Sequence, residues 1–173
     1  MKKPQISEYQ QNKYFSYYIE LVDSENVIDT LTSQFERVKN LYKNLPEEKY
    51  FFKYAEGKWN LKEVLGHITD TERIFAYRSL CIARGEKQAL PGFDENEYMT
   101  FSNFNEQTME SLIEQYCSVR ESSLALFKSF SEEISARMGT ANGNGVSARA
   151  LVWMIAGHEK HHLEILKERY SIS

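Results

Sequence analysis

SARALVWMIAGHEKHHLEIL, residues 147 to 166, decides how the rest of the chain is read. Its apolar residues Leu151, Met154, Ile155, Ile165 and Leu166 recur at helical spacing. Following Leu151 through Ile155, His158, His162 and Ile165 gives steps of 4, 3, 4 and 3, so both imidazoles fall on the inward seam of a helix expected over about 148 to 170. Buried polar rings need partners. The chain has 4 histidines in all, and the only one outside this window is His67. Three neutral imidazoles that leave a coordination position open are the ligand set of a catalytic metal site more than of a structural one.

Working upstream, Ile28, Leu31, Phe35, Val38, Tyr42 and Leu45 step by 3 and 4 residues and predict a helix from about 26 to 45, stopped by Pro46. A second helix opens at Asn60, a favoured N-cap, with Glu63 placed for a capping box and Gly85 marking its end. His67 lies about two turns inside it. Residues 86 to 105 contain Pro91 and Gly92 and read as a long loop with room for a functional role, the segment Pro91 to Tyr98 either covering one end of the site or forming an ordinary surface turn. Met109, Leu112, Tyr116, Val119, Leu126 and Phe130 predict a third helix over about 106 to 130, and GTANGNGVS at 139 to 147 breaks it. No alternating strand pattern stands out. Four long amphipathic segments predict an all-α, antiparallel four-helix bundle with a long loop between its second and third helices, in one domain spanning 1–173. Residues 1 to about 22, rich in Tyr and Phe, read as an arm that lays aromatics on the domain.

The formal net charge of −4 and the absence of a dense Lys/Arg run exclude the footprint of a nucleic-acid binder. Helical spacing sends many of the 11 Tyr and 10 Phe to the core, which removes them as a base-stacking platform. Cys81 and Cys117 form no C-x-x-C pair and indicate neither a disulfide framework nor a Cys-rich zinc module. The start carries no apolar signal region, and no run of 18 apolar residues occurs, so the expectation is a cytoplasmic protein with no membrane partner.

Within 158 to 162, His161 competes with His162, because residues three and four apart are both neighbours on a helix. We take His162: the wheel sets it about 40° from His158, against about 60° on the other side for His161. The string also matches H-E-x-x-H, but only 11 residues follow His162, and Ile165 and Glu168 stand where the longer peptidase pattern needs glycine and histidine. A peptidase is therefore disfavoured, and Glu159 reads as a residue at the edge of the site or solvated. Only one Glu-x-x-His is present, Glu159 to His162, so a mononuclear site is expected rather than a di-iron one. Asp70 is either a carboxylate that orients the His67 ring or a surface acid. No catalytic residue beyond the ligands is assigned.

Three blocks, WNLKEVLGHITDTERIFAYRSL at 59 to 80, LPGFDENEY at 90 to 98 and SARALVWMIAGHEKHHLEIL at 147 to 166, resemble the DinB-like superfamily, also called YfiT-like metalloenzymes and distinct from the DNA polymerase sharing the name. The resemblance implies a four-helix bundle, one divalent transition metal (nickel, zinc or iron) on His67, His158 and His162, and a homodimer. It further implies a small-molecule substrate and either transfer chemistry with a low-molecular-weight thiol or hydrolysis. Thiol or water activation on a three-histidine metal is thus the expected function; a metal-stabilised binding or stress-response module without turnover, and a metal-free bundle, are the alternatives.

Overall fold

A computed structural model describes residues 1–172. The helices are α1 (Lys13–Leu21), α2 (Val27–Lys43), α3 (Leu61–Ala83), α4 (Glu95–Thr100), α5 (Met109–Lys128), α6 (Glu132–Ser135) and α7 (Ala148–Arg169). A hairpin of β1 (Met138–Ala141) and β2 (Asn144–Ser147) precedes α7. The bundle consists of α2, α3, α5 and α7, with α1 laid along α7. Asn60 and Glu63 form the expected reciprocal capping box at the start of α3.

Around the bundle the order of neighbours is α2, α5, α3, α7, so the consecutive long helices α2 and α3 stand on a diagonal, as do α5 and α7. Contacts along the helices fix their directions. Trp59 meets Tyr170 while Ser79 meets Ala148, so α3 and α7 are antiparallel. Leu31 meets Arg120 and Phe35 meets Tyr116, with Tyr42 and Met109 further along, so α2 and α5 are antiparallel too. By contrast α3 and α5 run parallel, so the four-helix bundle is not antiparallel throughout as the sequence reading expected: Glu63 meets Asn105 at one end and Glu72 meets Arg120 further down. Parallel neighbours require the chain to travel back the length of the bundle between them. Residues 84 to 108 make that return, carrying α4 and a 3-10 turn at Phe104–Glu106 past the outside of α3.

Two segments differ from the sequence reading. Within the first 22 residues α1 is a regular helix whose buried face, Phe15, Tyr18, Ile19 and on to Val22, follows steps of 3, 1 and 3; the exposed Tyr14 and Tyr17 masked that stripe. The break at 139 to 147 is an antiparallel hairpin with Met138 opposite Ser147 and Ala141 opposite Asn144. Its turn is Asn142-Gly143, both at positive φ (50° and 72°), the conformation a two-residue hairpin turn requires. A glycine in each short strand hid the alternation.

Each histidine-bearing helix carries a glycine just before its first histidine, and each glycine admits a close neighbour. A Cβ on Gly66 would stand 2.5 Å from the Phe104 ring, which caps α3 from the return segment; one on Gly157 would stand 1.9 Å from the backbone oxygen of Tyr18 in α1. In an ordinary helix interior Gly to Ala gains about 1 kcal/mol. Here the contact is with backbone and cannot be relieved by a rotamer. Gly157→Ala is expected to lower stability despite the better propensity and to loosen α1 from α7, read as a reduced urea midpoint and faster amide exchange in residues 13–21; an unchanged or raised midpoint would contradict it.

Candidate metal centre

His67, two turns into α3, and His158 and His162, stacked one turn apart on α7, are brought together where the two antiparallel helices pass. His158 Nε2 lies 3.0 Å from His67 Nε2 and 3.2 Å from His162 Nε2. All three are buried, at 8%, 3% and 9% exposure. Burial holds the His67 pKa down to about 4, and pushes His158 and His162 well below the ordinary imidazole range, the neighbouring rings adding to the effect. At neutral pH the cluster is uncharged and offers nitrogen lone pairs.

These residues fit a metal ion on two counts. Ligand nitrogens about 2.1 Å from one ion, at angles of about 90–110°, lie roughly 3.0–3.4 Å apart, the spacing His158 Nε2 has to the other two, and all three ligand atoms lie within 4.8 Å of one another. The three nitrogens also point at one another, and a shared proton can satisfy a pair but not a converging trio. No Asp, Glu or Cys joins the cluster among the described residues.

His161 does not share in it. Its Nδ1 lies 3.1 Å from the Tyr17 hydroxyl, on the outer side of α7 beside α1. Asp70 is a surface acid paired with Arg73 at 2.8 Å rather than a partner of the His67 ring. The rings around the histidines are aromatic: Trp59 lies 4.6 Å from His67 and Tyr18 5.4 Å from His158, centroid to centroid. A cavity of about 230 Å³ opens on His162 between Trp59, Tyr54, Tyr170 and Ile165, with Asn96 of α4 on its rim. The return segment therefore does border the site, through α4.

Glu159 is not solvated, one of the two readings its sequence position offered: it is 1% exposed. One residue past His158 is about 100° around the helix, which on α7 faces the other helices of the bundle rather than water. There it meets Arg120 of α5 at 2.8 Å, and Arg120 also holds Glu72 of α3 at 2.8 Å and donates to the Leu31 carbonyl of α2 at 2.9 Å. Tyr116 donates its hydroxyl to Glu159 at 2.8 Å. Burial opposes the charge on Arg120, yet Glu159 and Glu72 hold its pKa well above the ordinary value; burial likewise pushes the Glu159 carboxyl up against the pull of Arg120. Arg120 falls four residues after Tyr116 and four before Leu124, squarely in the apolar stripe of α5. That intrusion is the signal the sequence offered.

Residues 30–166 match the DinB superfamily. A protein of Oceanobacillus iheyensis named "Putative metal-dependent hydrolase" is 26% identical over 141 residues, covering 81% of this chain and 79% of its own. Among solved structures, YfiT from Bacillus subtilis, described as a probable metal-dependent hydrolase with an unusual four-helix bundle topology, superposes with a TM-score of 0.74 at 15% identity over 85% of this chain and 87% of its own. A mycothiol-dependent maleylpyruvate isomerase superposes with a TM-score of 0.65 at 14% identity, over 79% of this chain and 57% of that longer one. At these identities the two structures establish the shared fold.

Two stability predictions follow from the buried groups. Arg120→Met strands two carboxylates in the core and should cost about 3–5 kcal/mol in urea unfolding, whereas a surface pair such as Arg73 with Asp70 should cost under about 1 kcal/mol when broken. For His67 the folded pKa is depressed to about 4, so its contribution is complete above the unfolded value of about 6.5 and is lost as pH falls from there toward 4, the unfolded chain binding the proton first. Metal-free protein should show that slope, to which the depressed His158 and His162 also contribute, and His67→Asn should make it shallower without abolishing it.

Proposed function

The chain belongs to the DinB superfamily, and on that footing we propose that His67, His158 and His162 hold one divalent transition metal and that the protein is a metal-dependent enzyme acting on a small molecule. The observation that carries this reading is the convergence of three buried, uncharged imidazole nitrogens at ligand spacing with no protein carboxylate among them. When bound, such a metal supplies a Lewis-acid centre that lowers the pKa of a coordinated thiol or water toward neutrality.

The chain's own residues contribute the surroundings. Depressed pKa values keep the three rings unprotonated across the physiological range, so protons do not compete for the ligand nitrogens. Trp59 and Tyr18 pack against His67 and His158 and keep bulk water from that side. The cavity at His162, with Tyr54, Tyr170 and Trp59 as walls, gives an apolar or aromatic group a place beside the centre. Both chemistries named among the similar proteins, hydrolysis and thiol-dependent isomerisation, start from an anionic nucleophile made near neutral pH. Zinc, nickel and iron all accept this ligand set.

Protein purified without an affinity tag should contain close to one metal per chain by elemental analysis. His67→Ala, His158→Ala and His162→Ala should each lower occupancy at least tenfold, and His161→Ala should leave it intact. Metal should raise the melting temperature of the wild type, since it binds the folded state. Turnover should appear in a screen of thiols with electrophiles, or of esters and amides, and vanish with chelator. Full occupancy in His67→Ala would refute the ligand set; full occupancy in the wild type without turnover in either screen would favour a metal-stabilised binding module.

A further inference from the structure

We propose that Arg78 is the anchor of a second subsite, which takes the charged end of the substrate or co-substrate: an amino-acid-like group carrying both a carboxylate and an ammonium. The inference deepens the metal-centre reading and rests on it for one point, that the ligand's reactive end lies at the histidines.

Arg78 follows His67 by eleven residues on α3, which returns it to within about 20° of the same face. It is 5% exposed. Arg120 and Arg149, the other buried arginines among the described residues, each have two carboxylate partners. Among the described residues Arg78 has none within ion-pair distance. Its guanidinium donates to the Pro91 carbonyl and lies against the rings of Phe75 and Phe93, 5.7 and 5.5 Å from their centroids. A guanidinium has five N–H donors, and a buried cation without a counter-charge is costly unless a partner is supplied. The two rings and Pro91 hold the group in place, and its unused donors border a cavity.

That cavity, about 170 Å³, is walled by Tyr14, Phe75, Arg78, Phe93, Glu95 and Asn142. A cavity of about 150 Å³ holds a benzene molecule, so an amino-acid end group fits. Glu95 lines the same space without pairing to Arg78. A plain dianion would meet repulsion from Glu95; a zwitterion offers each wall its opposite charge.

A layer of aromatic rings lies between the cavity and the histidines. Phe75, which touches the Arg78 guanidinium, has its ring 6.5 Å from that of His158. Tyr14, on the opposite wall, packs 4.7 Å from Tyr18, which packs 5.4 Å from His158. Eleven residues of α3 rise about 16 Å, most of which an extended tripeptide of about 10 Å spans, the long Arg78 side chain making up the remainder.

The test uses S-methylglutathione as probe. Its γ-glutamyl end is an amino-acid zwitterion and its blocked sulfur offers no thiolate to a metal. Calorimetric titration of the wild type, with and without metal, should show binding; the same probe esterified only at its γ-glutamyl α-carboxylate should bind at least tenfold more weakly. Arg78→Met should lose at least tenfold for the acid and nothing for the ester, Arg78→Lys should lose less, and Glu95→Gln should narrow the preference for the free amine over its N-acetyl form. Metal content by elemental analysis should be the same in all of them. No binding, equal affinity for acid and ester, or an Arg78→Met variant that binds as the wild type does would overturn the inference. The ester comparison on the wild type decides the matter even if a variant fails to fold. A protein that discriminates acid from ester but holds no metal would refute the metal centre and leave the subsite standing.

Discussion

Arg120 carries its charge at the centre of the bundle, completely enclosed, and it is held there by a group from every bundle helix: Glu72 from α3, Glu159 from α7 and the Leu31 carbonyl from α2, with Arg120 itself on α5. A buried guanidinium tolerates little displacement of its partners, because each lost hydrogen bond leaves a desolvated charge. The consequence is a polar layer across the middle of the molecule. On one side lies an apolar cluster including Leu31, Phe75, Phe127 and Leu151; on the other lies one including Val38, Leu65, Leu112 and Leu166. The histidines occupy that same layer, on the two helices that also supply Glu72 and Glu159. The relative height of α3 and α7 is therefore fixed twice, once by the ion network and once by the meeting of the imidazoles.

The long return between α3 and α5 has a chemical effect as well as a topological one. Because those helices are parallel neighbours, the segment from 84 to 108 must pass the level of the polar layer. It does so as α4, which puts Glu95 and Asn96 beside two different cavities flanking the histidines. A bundle with short turns would leave that flank open to water. The two glycines act in the same sense: Gly66 lets Phe104 close over α3 and Gly157 lets α1 lie against α7, so that rings pack around the histidines from outside the four-helix core.

Periodicity exposed what depends on one helix at a time. The four long helices, the capping box at Asn60 and the pairing of His158 with His162 are all read from residues three or four apart. It also singled out His67, since no other imidazole was available. What lay beyond it depends on what surrounds each helix. Glu159, offset by one residue from His158, reads as solvated or at the edge of the site, but α7 is packed by α1, α2 and α3 and is buried nearly all round through its first three turns, which excludes the solvated position. Glu72, four after Ile68 and three before Phe75, and Arg120 in the stripe of Tyr116 and Leu124 were visible as charges on apolar faces. Their pairing was not, because it joins positions 48 and 39 residues apart. The hairpin escaped because Gly139 and Gly145 sit where an alternating pattern would show a side chain.

The ion network also bears on what the histidines can do. Glu72 and Glu159 share the layer with three imidazoles, and free carboxylates in such a place are good metal ligands. Arg120 engages both, and Tyr116 donates a further hydrogen bond to Glu159, so their lone pairs are turned away from the ring nitrogens. The donor set is left neutral. A divalent ion among three neutral nitrogens keeps its whole positive charge, whereas each carboxylate ligand would cancel one unit of it. That charge is what lowers the pKa of a group bound in the open position. By occupying the acids, Arg120 stabilises the fold, and for a metal held as proposed on the three rings it would leave the ion's full charge to act on a bound thiol or water.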